Sequence, residues 1–79
     1  MKTLDLIKSK SKQVNSASNI SEPYWNKLKY LVKMYLKANE INEISAIRLS
    51  EITGLKSKLC FNMLVELNKE YFNKKNQNT

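Results

Sequence analysis

Apolar side chains recur at helical spacing in three stretches of this chain, and polar runs separate them. The longest stretch carries Trp25, Leu28, Val32, Tyr35 and Leu36 on one side of a helical wheel, with Tyr24 and Leu31 beside them. Such a stripe predicts a helix that buries one face. Lys27, Lys29, Lys33 and Lys37 fall mostly away from it. The expected start is Ser21, a good N-cap, followed by Glu22, which suits the positive helix end, and Pro23, which the first turn tolerates. Ile20 and Trp25 occupy the staple positions on either side of that cap. The helix should run to about Ala38, and residues 39–42 read as a connection.

A second, shorter helix is expected over residues 46–53, with Ser45 as N-cap and Gly54 ending it by a positive φ. Ile47, Leu49 and Ile52 should supply its apolar contacts, with Ile41 and Ile44 as a short extended piece before it. A third helix should begin at Lys56 or Ser57 and reach about Tyr71 or Phe72. Cys60, Leu64 and Leu67 recur at i, i+4 and i+7 and make its buried stripe, and Met63 could join either face. Residues 1–20 read differently. Leu4, Leu6 and Ile7 suffice for one short turn, but SKSKQVNSASN offers too little apolar surface to offset the entropy of ordering it. The segment is therefore expected to be a flexible basic arm, Lys2, Lys8, Lys10 and Lys12 against Asp5. It either follows a nucleic-acid backbone or is simply solvated. The expected organisation is an arm over 1–20, an all-α domain of three helices over 21–73, and a polar tail over 74–79.

Composition narrows the functional classes. A length of 79 residues leaves room for one domain. A single Gly and a single Pro argue against a β-sandwich or barrel, which need many turn residues. With no His and one Cys, Cys60, neither a zinc cluster nor a disulfide framework can be assembled within the chain. A reduced, cytoplasmic setting fits best. No apolar run has the length of a membrane span, the N-terminus lacks the apolar core of a signal peptide, and no membrane partner is expected. Without His, a nucleophile–base pair would have to use Lys or a carboxylate, and no Gly-rich phosphate loop is present. Cys60 sits in the buried stripe, as a small core residue does. The chain is therefore expected to be no enzyme and to hold no metal or cofactor. A net charge of +7 points to a polyanionic partner or to solubility alone. The Lys-, Asn- and Ile-rich composition would suit a low-GC bacterium, a plasmid or a phage.

The informative segment is Arg48-Leu49-Ser50-Glu51-Ile52-Thr53-Gly54-Leu55, followed by Lys56-Ser57-Lys58-Leu59-Cys60. It resembles the helix-turn-helix core of the winged-helix superfamily of bacterial and archaeal regulators, over about residues 44–72. Leu49 and Ser50 hold that family's Leu-small pair, Gly54 its turn, Leu55 the buried residue after the turn, and Cys60, Leu64 and Leu67 the inner face of the second helix. A small residue at Ser50 would let the helices approach closely, and the second helix would project its N-terminal end into a major groove. The resemblance implies a DNA-binding surface of Lys56, Ser57, Lys58, Leu59, Phe61 and Asn62, with Arg48 against the backbone. Lys56, Ser57 and Lys58 suit phosphates, and Asn62 suits an adenine edge.

Three departures shape the expected partners. Lys56 stands where the family often has a Ser or Thr cap. Leu59 and Phe61, with Val65 a turn beyond Phe61, replace the usual polar readers. These apolar side chains suit thymine methyls or unpaired bases, a protein interface, or burial against the chain's own ends. The β-hairpin wing is expected to be absent or a stub, because few residues follow Phe72. One copy would then bind weakly, so a homodimer through Tyr30 and Met34 or through the leader, or a complex with a larger protein, is expected. Duplex DNA is the first expected partner and single-stranded DNA the second. The role would be transcription regulation or a replication or partition accessory. The alternative is a protein-interaction adaptor, its third helix docking through Leu59, Phe61 and Val65, as in a subunit that helps an enzyme hold single-stranded DNA.

Overall fold

The computed structural model describes residues 2–67, and among them every regular element is helical: α1 Thr3–Ser16, α2 Glu22–Ala38, α3 Ala46–Thr53 and α4 Ser57–Leu67. The expected tail over 74–79, the end of the last helix near Tyr71 and any wing beyond it lie outside the described residues. No helix among the described residues is long and apolar enough to cross a membrane.

The bounds of α2 and α3 follow from local chemistry. Ser21 precedes α2 in extended backbone, though its hydroxyl makes no capping bond. Pro23 and the packing of Ile20 and Trp25 on the core fix that start instead. Leu28, Val32 and Leu36, four residues apart, are the buried face of α2. At its far end Glu40 adopts φ 54, with Glu40 N–H bonded to Lys37 O at 3.1 Å and Ile41 N–H to Leu36 O at 2.8 Å. This pair of bonds is a Schellman stop made without glycine. Ser45 caps α3 as expected, its Oγ accepting from Arg48 N at 3.1 Å, and Gly54 ends it at φ 82.

Residues 1–20 do not form the expected flexible arm. Fourteen of them make α1, which buries Ile7, Ser11 and Val14. The three lie at i, i+4 and i+7, so they share one stripe. Ser11 is buried without an orphaned hydroxyl because its Oγ donates to Lys8 O in its own helix at 2.8 Å. α1 runs antiparallel to α2. Its C-terminal end meets the start of α2 where Tyr24 Oη donates to Gln13 Oε1 at 3.4 Å, and its N-terminal residues Lys2, Thr3 and Leu4 share a cleft with Tyr35, Ala38 and Asn39. Lys10 Nζ lies 5.3 Å from the centre of the Tyr24 ring. α3 and α4 pack on each other, α3 also touches α1, and α4 also touches α2.

One core joins all four helices: Ile7 and Val14, the α2 triad, Leu49 and Leu55, then Cys60, Met63 and Leu67. Two side chains depart from expectation. Ile47 is 70% exposed and contributes no core contact. It precedes Leu49 by two residues, about 200° around the helix, so the turn that buries Leu49 and Thr53 carries Ile47 outward. On α4 the centre of the buried face is Met63, and Leu64 is only half-buried at its edge.

Candidate nucleic-acid interface

The site is built on the turn between α3 and α4. Gly54 opens it in the left-handed region, and Leu55 follows, buried to 1% exposure. Ser50 was expected to be a spacer. It is also a bonding residue, its Oγ donating to Leu55 O at 2.6 Å. The buried Thr53 Oγ1 donates to Leu49 O at 2.8 Å and accepts from Leu55 N at 3.2 Å. Every polar atom of Leu55 thus has a partner, which lets its side chain be buried without leaving a backbone group unpaired.

A second tie reaches the turn from α1. Asn15 Nδ2 donates to Gly54 O at 2.8 Å, and Asn15 Oδ1 accepts from Lys56 N at 2.9 Å. One amide therefore satisfies both edges of the turn. Ser11, a helical turn earlier, stands so close that a Cβ on Gly54 would lie 3.2 Å from its Oγ. The φ of Gly54 favours glycine, and the approach of α1 leaves a Cβ there in tight contact with Ser11. Asn15 is a site residue without a local sequence signal, since its partners are 39 and 41 positions away.

α4 begins directly from this anchored turn. Cys60 N bonds to Lys56 O at 3.0 Å, so Lys56 occupies the capping position with a side chain that cannot accept a hydrogen bond, and Ser57 is the first helical residue. Lys56, Ser57, Lys58, Phe61 and Asn62 are all exposed. Lys58, Phe61, Asn62 and Val65 fall at i, i+3, i+4 and i+7, a stripe opposite the buried Cys60, Met63 and Leu67. Phe61 is 60% and Val65 50% exposed. Leu59 does not share that stripe. It is half-buried and packs on the core beside Ile20 and Trp25. An open groove lies between this edge of α4 and residues 17–20, and Leu59 lines it together with Trp25, Phe61, Asn62 and Val65.

The remaining expected residues lie elsewhere. Arg48 is on the exposed side of α3, ion-paired with Glu51 at 3.3 Å. Tyr30 and Met34 are exposed one turn apart on the outer face of α2, far around the helix from its buried triad. Glu66, half-exposed on α4, ties that helix to α2. It accepts from Lys29 Nζ at 2.5 Å and from Trp25 Nε1 at 2.9 Å. These two donors, Lys29 first, hold its carboxyl below the usual range. Cys60 is buried, and desolvation pushes its thiol up despite a hydrogen bond involving Thr53. A thiol so placed is a poor nucleophile. Among the described residues no group of three or more His, Cys, Asp or Glu side chains could hold a metal ion.

Compared with family models, with curated proteins and with solved structures, the chain matches none of them.

Proposed function

We propose that this protein binds DNA, with α3, the turn over residues 54–56 and α4 acting as a helix-turn-helix unit. The observation that carries the proposal is the exposed start of α4. It presents Lys56, Ser57, Lys58, Phe61 and Asn62 to solvent, while its opposite face is held in the core and the turn that launches it is held by Asn15 of α1. A helix end so fixed projects a rigid set of side chains, and its dipole adds positive potential to that of the two lysines. Lys56, Ser57 and Lys58 would meet phosphates, Asn62 an adenine edge, and Phe61 a thymine methyl or an unpaired base. Arg48 would reach the backbone by exchanging Glu51 for a phosphate. The net charge of +7 supports a polyanionic partner. The role follows as a transcription regulator or a replication or partition accessory factor in the cytoplasm, working as a homodimer through Tyr30 and Met34 or beside a larger protein.

One observation favours a second reading. Phe61 and Val65 expose apolar surface on a single stripe of α4, and an apolar stripe on a rigid helix also suits a protein partner. The chain would then be an adaptor. The two readings separate by fluorescence anisotropy on duplex and single-stranded DNA at several salt concentrations. For DNA binding, Lys56→Ala with Lys58→Ala should weaken association on every sequence and flatten the log K against log salt slope by about 1 to 2. Phe61→Ala with Val65→Ala should shift the preference between duplex and single strand. If the wild type binds neither form at low salt, or the lysine pair changes nothing, groove docking is wrong and the adaptor reading stands.

A further inference from the structure

α1 presents two flanks on either side of its buried stripe of Ile7, Ser11 and Val14. Gln13 and Lys10 lie on the flank that meets Tyr24 of α2. Asn15 lies on the other flank, bonded to the turn that launches α4. Lys12 and Lys8 stand three and seven residues before Asn15, so helical spacing places both on the Asn15 flank. Both are exposed. Counted along the axis, they sit about 4.5 Å and about 10 Å from the residue that grips Lys56. The backbone of Lys56 is thereby locked to the same helix that carries Lys8 and Lys12. Asp5, one turn before Lys8, is the acidic residue at the outer end of this strip.

We infer that the Lys8/Lys12 flank of α1 is a second phosphate-contacting strip, held in register with Lys56 and Lys58 by the Asn15 clamp. The inference rests on the DNA-binding reading and extends the interface to a helix outside the turn unit. Its partner is the sugar–phosphate backbone of duplex DNA beside the groove that α4 enters. Backbone contacts carry no sequence information but fix register and raise affinity on all sequences. A strip rigidly joined to the groove-entering helix would supply the positioning that a wing supplies elsewhere. Flexible-arm lysines would contribute charge without register.

The test uses the full chain and a duplex oligonucleotide, with binding measured across a salt series. Lys8→Ala with Lys12→Ala should weaken binding at low salt at least tenfold and make the salt slope shallower by about 1 to 2. Alanine is a good helix former, so α1 should persist, and far-ultraviolet circular dichroism checks that it does. Lys27→Ala with Lys37→Ala removes the same charge from the exposed outer side of α2 and, with an unchanged association state verified by analytical ultracentrifugation because Tyr30 and Met34 share that side, should leave the slope unchanged. Equal slopes for the two double variants would overturn the inference, since net charge alone would then explain the effect. An unchanged slope for Lys8→Ala/Lys12→Ala, with a reduced one for Lys56→Ala/Lys58→Ala, would overturn the strip and leave the turn unit standing. If the wild type binds no duplex, the underlying reading fails and this inference with it.

Discussion

Asn15→Ala removes two hydrogen bonds at once, one from each edge of the turn. Each is worth about 0.5–1.5 kcal/mol, and a domain of this size loses about 4–8 °C of Tm per kcal/mol. The variant should therefore melt measurably lower in a thermal scan, and Asn15→Asp, which keeps only the acceptor for Lys56 N–H, should fall between. A wild-type Tm in both would mean that water replaces the amide without loss. Nothing in the sequence marks Asn15, because its partners lie 39 and 41 positions away. Ser45 and Gly54 were legible for the opposite reason. Their work is done within three or four residues, where a cap hydroxyl or a positive φ has its own residue preference. Glu40 escaped notice because it takes the left-handed position with a side chain that usually avoids it.

At the level of elements the decisive one is α1. If residues 1–20 were a solvated arm, Ile7→Ala would be silent. Ile7 is instead fully buried in the shared core, and truncating such a side chain costs about 2–5 kcal/mol. Chemical denaturation of Ile7→Ala should show that loss, and a midpoint equal to wild type would restore the arm. The helix was hidden by Ser11. A serine in the middle of the stripe makes SKSKQVNSASN read as polar, and only contact with Gly54 gives the small side chain a reason to be there. α2 was legible to the residue because its apolar period is unbroken, and α3 because Ser45 and Gly54 mark its two ends. On α4 the period was legible but its centre was not. Met63 and Leu64 are neighbours in the stripe, and the packing partner decided between them.

Across the whole molecule, Glu66 joins α2 to α4 through Lys29 and Trp25. Its carboxyl is lowered in the folded state, so its contribution is present above the ordinary carboxylate value and disappears as pH falls through the lowered one. Glu66 is partly exposed, 45% at its side chain, and solvent screening holds the effect to a few tenths of a kcal/mol up to about 1. The wild type should be slightly more stable than Glu66→Gln at neutral pH, and the difference should vanish in acid. A constant difference across pH would assign the effect to packing. The helical character of the described residues beyond the leader, the bounds of α2 and α3, the Gly54 turn and the exposed polar start of α4 are legible in the sequence, because each follows from spacing or bonding within a few residues. Contacts between distant segments make the leader a core helix, let Asn15 grip the turn, half-bury Leu59 at the edge of the groove that it lines with Phe61 and Val65, and make Glu66 a tie. Those outcomes depend on which surfaces meet across the chain, and a one-dimensional pattern carries the periods of such surfaces but not their partners.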